Sequence, residues 1–214
     1  TTNPRGHATT AAFHAFDAPA EDSITSITAP EGLTVTIARD VFGKASSITR
    51  SGLYAGSPVS ATRSYVYDGN QRLCKTIEPE TGATVQAYDT AGNVAWRASG
   101  LALPSTASCD QASVPGAAMA SHGYDTMNRL TSTSYGDGSP GIARSYTADG
   151  LPLTVASAGA SWTYGYNALR LTTLERLVFG GATYDIGRAY DAHGKLSSLS
   201  YPATGLALVY SPNA

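Results

Sequence analysis

The sequence predicts an all-β protein built from tandem antiparallel β-hairpins that form a curved strip of sheet. Three observations carry this prediction: a Tyr-Asp turn phrase recurs, its copies lie about 21 residues apart, and apolar residues alternate with polar ones between them. The pair Tyr-Asp occurs five times, against fewer than one occurrence expected from the composition. A short unit repeated at a fixed period indicates a stacked architecture in which each unit packs on its neighbours.

The turn of the repeat is clearest in "YDTAGNVAW", which begins at Tyr88. Asp89 takes the first turn position, where its side chain can accept backbone hydrogen bonds, and Gly92 takes the fourth, where φ is often positive. We therefore predict a structural framework that consists of Tyr67, Asp68, Tyr88, Asp89, Gly92, Tyr124, Asp125, Asn128, Tyr146, Gly150, Tyr166, Tyr190, Asp191 and Gly194.

The copies of the turn differ in their fourth residue. Glycine ends the predicted turns at 3–6, 40–43, 147–150 and 191–194, and Asn128 suits the same position because asparagine tolerates the left-handed region. The copies that begin at residues 68 and 167 end in Gln71 and Arg170, and we interpret them as having lost the glycine.

The strands follow from the alternation of apolar residues between turns. Alternating runs occur at Leu33/Val35/Ile37, Val94/Trp96/Ala98, Leu151/Leu153/Val155, Trp162/Tyr164/Tyr166 and Leu206/Leu208/Tyr210. In residues 166–179 leucines also recur at helical spacing, so a short helix is the alternative there. The β-branched and aromatic residues of this segment favour the strand.

One insertion interrupts the period, at about residues 99–121. Its Ser-, Ala- and Pro-rich sequence has no periodicity and predicts a loop that projects from the repeat array. Cys109 lies in this loop, and Cys74 lies in the strand that follows the turn at Asp68. Two interpretations stay open: a Cys74–Cys109 disulfide that holds the loop, or the two free thiols that a cytosolic protein normally keeps.

The composition narrows the function classes. Charged residues make up 14% of the chain and the net charge is −2. The chain therefore lacks the excess of basic residues that is typical of a nucleic-acid-binding protein. No apolar run reaches the length of a membrane span, and no signal-peptide core is evident. We expect one continuous repeat array over residues 1–214 that is a fragment of a larger protein, because both ends of the chain lie inside a repeat.

Motifs for enzyme chemistry are weak. "GDGSPG" at residues 136–141 matches a dinucleotide fingerprint, but a proline and a predicted strand follow where that site needs a helix. The four histidines lack metal-site spacing, and most aspartates are already explained as turn residues. We therefore predict no catalytic residue, no metal and no cofactor, and a protein that is not an enzyme.

Aromatic residues leave a binding function open. Trp96, Trp162, Tyr164 and Tyr166 have flat faces that can stack on a pyranose ring. The alternative is that these side chains pack on the face of the sheet, and we favour packing. A framework aromatic recurs once per period at the same phase, whereas a ligand site is local.

The phrase Tyr-Asp-x-x-Gly-[Arg/Asn/Lys]-[Leu/Val], seen as "YDTAGNV" and "YDAHGKL" and less completely as "YDTMNRL" and "YNALRL", resembles the YD-repeat or Rhs family. The resemblance extends over almost the whole chain. It implies a β-sheet strip that spirals into a hollow shell around a C-terminal toxin domain, as in bacterial polymorphic toxins and the C subunits of insecticidal toxin complexes. Neither the "DPxG" self-cleavage segment of that family nor a variable toxin domain is found in this sequence.

Two function classes follow from these observations. The first, which we favour, is a structural segment of such a shell that sequesters a toxin cargo. Its expected partners are the remaining shell repeats, the enclosed toxin domain and secretion-apparatus proteins, and its expected location is secreted or on the surface of a bacterial cell. The second class is a surface-exposed β-repeat module that binds carbohydrate or a partner protein. Exposed sheet edges also predict self-association.

Overall fold

The computed structural model describes residues 1–2, 4, 6–15, 22–201 and 204–210. The predicted all-β class is confirmed, because these residues form seventeen antiparallel β-strands, assigned to one sheet, and two single-turn 3-10 helices. The turn predicted at residues 3–6 includes positions outside the described residues. The five further turns predicted to end in glycine or asparagine, and the two that end in Gln71 and Arg170, are all described.

The strands are short and evenly spaced along the chain. Their bounds are β1 Thr10–Phe13, β2 Ile24–Thr28, β3 Thr34–Arg39, β4 Ala45–Tyr54, β5 Ser57–Tyr67, β6 Leu73–Glu78, β7 Gly82–Tyr88, β8 Val94–Leu101, β9 Ala120–Tyr124, β10 Leu130–Tyr135, β11 Ile142–Tyr146, β12 Pro152–Ser157, β13 Ala160–Tyr166, β14 Thr172–Phe179, β15 Ala182–Tyr190, β16 Leu196–Tyr201 and β17 Leu206–Val209.

The chain divides into two compact units. The first contains Thr1–Tyr88 and Trp96–Ala118, and the second contains Asp89–Ala95 and Met119–Ala214. In the first unit, β1 to β7 pair in sequential order, each with its neighbour along the chain. In the second unit, β9 to β17 pair in the same sequential order. Both units are therefore meanders made of consecutive hairpins.

The register gives the sheet two chemically different faces. In the first unit Val35, Ile37 and Ile48 occupy one face, while serines and threonines such as Thr36 and Thr49 occupy the other. Cross-strand hydroxyl pairs connect the polar face, as in the 2.8 Å bond between Thr49 and Thr62. Alternation along each strand produces this separation because successive side chains point to opposite faces.

The segment at 166–179 contains the end of β13, a turn and strand β14, so the helical alternative is wrong. Residues Thr172–Phe179 form β14, which pairs with β13 on one side and β15 on the other. Two neighbouring strands satisfy its backbone groups and hold its β-branched residues in the extended conformation that they favour. The helical spacing of the leucines does not outweigh the backbone hydrogen bonds that β14 makes with these two strands.

The insertion is shorter than the sequence indicates. β8 continues to Leu101 and β9 begins at Ala120, so the connection without strands covers residues 102–119. It contains the two 3-10 turns, at Gln111–Ser113 and Gly116–Ala118.

The hairpin ends opposite the Tyr-Asp turns use a different turn chemistry. Ala55 and Gly56, Ala158 and Gly159, and Gly180 and Gly181 form consecutive pairs with positive φ. Two such residues in succession make the tight two-residue turn whose twist matches the flanking strands. In the sequence these turns are marked by a small residue followed by glycine. The Tyr-Asp repeat phrase does not include this signal.

Candidate functional site

The Tyr-Asp turns share one hydrogen-bonding pattern. Among the predicted repeat turns that the structure describes it is found seven times, beginning at residues 40 and 68 in the first unit and at 89, 125, 147, 167 and 191 in the second, and the same backbone pattern occurs once more at Ala29, whose side chain has no acceptor. The carbonyl of the first residue accepts from the N–H of the fourth at 2.9–3.1 Å, and its N–H donates to the carbonyl of the fifth at 2.8–3.0 Å. This is a tight turn followed by a left-handed residue, which joins strands in three-residue hairpins.

The side chain of the first residue stabilises each turn. Its oxygen accepts the backbone N–H of the fifth residue at 2.8–2.9 Å in all seven turns, whether that first residue is Asp, Asn167 or Thr147. In five of them the oxygen also accepts the N–H of the third residue. The aspartates of the repeat are therefore engaged in holding the backbone.

The fourth residue has a positive φ in every one of these turns. Gly92 and Gly194 have φ of 89° and 76°, and Asn128 has 59°. Gln71 and Arg170 adopt the same conformation, with φ of 62° and 64°. The copies at 68 and 167 have lost the glycine but keep the backbone of the turn, because the other turn hydrogen bonds impose the left-handed conformation on a residue that does not prefer it.

Arg39 precedes the turn at residue 40, whereas a tyrosine precedes the other six of these seven turns and connects neighbouring hairpins. Its hydroxyl donates to the carbonyl of the sixth residue of the preceding turn at 2.7–3.0 Å. The six pairs are Tyr67 with Ala45, Tyr88 with Leu73, Tyr124 with Val94, Tyr146 with Leu130, Tyr166 with Pro152, and Tyr190 with Thr172. The repeated tyrosine is a backbone-to-backbone strut, which explains why it recurs at one phase of the period.

Cations at the fifth turn position cover some of these rings. Lys44, Arg72 and Arg129 lie over the rings of Tyr67, Tyr88 and Tyr146, at 5.0, 4.4 and 4.7 Å from the ring centroids. Such contacts contribute about 0.5–1 kcal/mol at exposed sites. The cation and the tyrosine thus belong to one structural motif that spans two repeats.

Hydrogen bonds lower the pKa values of the turn carboxyls. The pKa of Asp89 is lowered mainly by the amide of Asn93, and the pKa of Asp125 and Asp191 is lowered mainly by the backbone N–H of the fifth turn residue. Each of these partners favours the ionised form of the carboxyl. No such group is tuned towards proton transfer at neutral pH.

The insertion loop is attached to the first unit by a covalent bond. Cys74 of β6 and Cys109 of the loop form a disulfide with a Cα–Cα distance of 5.5 Å. Beside it, the Nζ atom of Lys75 donates to the carbonyl of Ser105 at 2.7 Å and to the carboxylate of Asp110 at 2.5 Å. The side chain of Lys75 has no exposed surface. The pKa of Asp110 is lowered, first by its hydrogen bond with Lys75.

The loop covers one face of the strands below it. Val66, Lys75 and Val85 are register partners across β5, β6 and β7, and all three are buried. Val114 of the loop is 7% exposed, and Gln111 donates to the carbonyl of Gln86 at 2.9 Å. The sequence indicated a loop outside the array, but it did not indicate that this loop closes over β6 and β7.

The aromatic candidates for sugar binding do not form one group. Trp96 lies in β8, whereas Trp162, Tyr164 and Tyr166 share one face of β13. Tyr164 and Tyr166 line a concavity together with Arg188 and other residues that the sequence did not single out, and Trp162 is not part of its wall.

The remaining motifs have structural positions. Residues 136–141 connect β10 to strand β11, not to a helix. Across the residues that the structure describes, no cluster of three or more His, Cys, Asp or Glu side chains is arranged to hold a metal ion. The same residues include no helix with the length and apolarity of a transmembrane span.

Comparison with known proteins shows similarity at the level of the fold. No family model matches the sequence, and no curated protein matches it either. Among solved structures, the crystal structure of TcdB2-TccC3-Cdc42 aligns with 94% of this chain at 13% identity and a TM-score of 0.53. That of TcdB2-TccC3 without hypervariable C-terminal region aligns with 97% of this chain at 13% identity and the same TM-score.

This chain corresponds to a small part of those proteins, since the aligned region covers 13% of each of their chains. Identity at this level carries information about the fold and not about activity. The chain therefore has the all-β fold of a segment of the TcdB2-TccC3 structures.

Proposed function

We propose that this chain is a structural, non-catalytic segment of a YD/Rhs-repeat shell that encloses and sequesters a C-terminal toxin cargo. The observation that carries the proposal is the alignment of 94–97% of the chain with TcdB2-TccC3 structures at a TM-score of 0.53. One of those structures is described as lacking a hypervariable C-terminal region. A variable segment that follows a repeat array is the organisation that the Tyr-Asp phrases implied.

The architecture of each unit suits a wall. A wall must extend laterally, and sequential hairpins extend a sheet by one strand at a time while pairing the backbone groups of the strand before. The tyrosine struts connect successive hairpins at each period, so the spacing of the strands does not depend on a thick hydrophobic core. The aspartates that a hydrolase would need are engaged in the turns.

The partners follow from the same proposal. The remaining shell repeats of the longer polypeptide pair with the exposed sheet edges, which otherwise are templates for association. The enclosed toxin domain faces one side of the wall, and the secretion apparatus exports the complete protein. A secreted or cell-surface location agrees with a disulfide, since such bonds persist in oxidising compartments.

Limited proteolysis of the full-length protein tests this function. The domain downstream of the repeats should resist protease in the native protein and should be cut at once after the shell is unfolded in denaturant. Electron microscopy of the same sample should show a closed hollow particle. Equal cleavage of the downstream domain in both states, or an open extended particle, would contradict the proposal.

A further inference from the structure

The segment 102–119 is attached to the first unit at one covalent point, where Cys109 is bonded to Cys74 of β6. We call this segment the Cys109 strap. Cys74 is the extra residue of a β-bulge, because the pairing register of β5 and β6 shifts beside it. A bulge changes the direction of the side chains next to it. Cys74 and Lys75 therefore both reach the strap, although neighbours in a regular strand point to opposite faces.

Non-covalent contacts alone hold the strap weakly. All of its residues are described, and Val114 is the only one of them that is buried. Hydrogen bonds to Lys75 and to the carbonyl of Gln86 add to this contact. Ordering a segment of this length costs conformational entropy that one buried valine and a few hydrogen bonds do not offset. The closed position of the strap therefore depends on the disulfide.

The ion pair beneath the strap does not oppose opening strongly. The side chain of Lys75 has no exposed surface, and that of Asp110 is 18% exposed. Removing two charges from water costs about as much as their mutual attraction returns, so a buried ion pair adds little net stability. Water solvates both groups when the strap lifts, and the separation of the pair is then nearly balanced.

The two sulfur atoms differ in their access to a reductant. Cys74 has no exposed surface, whereas Cys109 is half-buried. A thiolate therefore attacks the Sγ atom of Cys109 and forms a mixed disulfide, and the Sγ atom of Cys74 leaves and takes up a proton. A second reductant thiol then displaces Cys109, which is protonated in turn. Two electrons thus pass to the two cysteines, and the two reductant thiols end as a disulfide.

The reduced chain has a place for the buried thiol. The Sγ atom of Cys74 lies 3.2 Å from the carbonyl oxygen of Val66, which can accept a hydrogen bond from the thiol that reduction creates. The backbone ladders of β6 with β5 and β7 do not involve the strap. Reduction can therefore open the strap while the strands below it stay paired.

We propose that the Cys109 strap is a redox-controlled cover. It is closed over β6 and β7 while the disulfide is intact, and it opens in the folded chain when a dithiol, or a monothiol such as glutathione, reduces the bond. The disulfide and the two free thiols are then two states of one protein, each belonging to a different redox compartment. Opening gives solvent access to Lys75. The switch needs only the first unit, so it does not depend on the proposed wall function.

Lysine acetylation of the full 214-residue chain measures the opening, because the chain contains only Lys44, Lys75 and Lys195. The native chain is reduced with dithiothreitol, its thiols are blocked with iodoacetamide, and an acetylating N-hydroxysuccinimide ester is added after the reagents are removed. We expect the acetylation rate of Lys75, read by peptide mass spectrometry, to rise by about tenfold or more, since a buried group reacts through its open state. Lys195 is exposed in the second unit and should react equally in reduced and unreduced samples.

Two variants separate the covalent bond from the ion pair. Cys109→Ser removes the bond and should leave Lys75 reactive without a reductant. Asp110→Asn keeps the bond, and Lys75 should stay protected until that bond is reduced. Should Cys109→Ser fail to fold by circular dichroism, the unsubstituted chain gives the same comparison. A reduced sample that is treated with oxidised glutathione, and not alkylated, should regain the protection of Lys75.

Several results would overturn the proposal. Equal protection of Lys75 in the reduced and oxidised chains would mean that non-covalent contacts hold the strap. Loss of the β-sheet signal in circular dichroism on reduction would indicate unfolding and not opening. Fast acetylation of Lys75 in oxidised Asp110→Asn would mean that the ion pair holds the strap. A disulfide that resists dithiothreitol until the chain is denatured would equally refute a switch in the folded protein.

Discussion

The strands β5 to β7 and the strands β12 to β16 are built from the same repeat but differ in what covers them. In the first region the loop 102–119 closes over one face, and Cys74, Lys75 and Val85 retain at most 1% of their exposure. In the second region no described residue is buried to that degree, and β13, β14 and β16 are half-buried along almost their entire length. The turns and tyrosine struts are the same in both.

This difference separates two sources of stability. Hydrophobic stabilisation grows with the apolar area removed from water, and a sheet that lacks a second layer removes little. The covered region gains a small core, which also has to accommodate the charge of Lys75. The open region relies on backbone ladders, cross-strand pairs and turns. Variants that affect the cover should thus act on the first region alone, and variants of the turns should act equally on both.

The largest effect is expected from the disulfide. Cys74→Ser with Cys109→Ser should destabilise the first unit by about 4 kcal/mol, because the bond closes a loop of 35 residues in sequence separation and restricts the unfolded chain. Hydrogen exchange should accelerate in β6 and β7 and remain unchanged in β13 to β15. Ellman's reagent should detect no free thiol in the denatured, unreduced chain, and two thiols per chain would refute the bond.

The second effect concerns the buried cation. Lys75→Ala should destabilise the chain by about 3 kcal/mol, since it opens a cavity below the loop and leaves the Asp110 carboxylate without its ion pair. Arg176→Ala, which removes an exposed member of an ion pair in the open region, should change the melting temperature little. Equal effects of the two variants would mean that the loop does not form a core.

The third effect concerns the fourth residue of the turns, Gly92 and Gly194 in the second unit and Gln71 in the first. Gly92→Val should destabilise by about 1–3 kcal/mol, because a β-branched residue at positive φ is strained, and Gly194→Val should do the same. Conversely, Gln71→Gly should raise stability slightly, since glycine relieves the left-handed conformation that glutamine adopts there. Chemical denaturation measures all three, and a stabilising Gly92→Val would contradict the shared turn geometry.

A smaller effect is expected from single tyrosine hydroxyls. Tyr190→Phe should cost about 1 kcal/mol, because it leaves the Thr172 carbonyl without its 2.8 Å hydrogen bond. Tyr164→Phe, two strands away on the same face, should be neutral, since none of the described residues accepts a hydrogen bond from its hydroxyl. A similar loss in both variants would indicate that ring burial matters and the strut does not.

The smallest effect is the pH dependence of the turns. The pKa values of Asp125 and Asp191 are lower in the folded chain than the ordinary value of 3.8. Their stabilisation is therefore complete above the pKa of the unfolded chain and is lost as the pH falls through the lower folded value.

Asp191→Asn should keep the turn, as Asn167 does naturally, and should make the melting temperature less sensitive to acid below about pH 4. Asn167→Asp should do the reverse, with a steeper loss of stability in acid. Unchanged acid sensitivity in both variants would show that the turn carboxyls are not coupled to folding.

Much of the fold was predictable because its determinants are local. Alternation places side chains on two faces, and the side chain of Asp89 accepts hydrogen bonds from residues within four positions, so both can be recognised from neighbouring letters. The helical spacing of the leucines in β14 was misleading for the same reason, since a local pattern does not show that two strands pair with the segment. Gln71 and Arg170 have a positive φ that their residue types do not predict, because the hydrogen bonds of the surrounding turn hold them there.

The sequence by itself determined the all-β class, the period and the order of the hairpins, since each depends on contacts between residues that are close along the chain. Only the tertiary structure decided which backbone carbonyl each tyrosine reaches, which face the loop covers, and that Lys75 lies beneath it with Asp110. It alone also brought Tyr164, Glu175 and Arg188 together from three strands. These contacts join residues 11 to 35 positions apart, and the repeat pattern is the same whether or not they form.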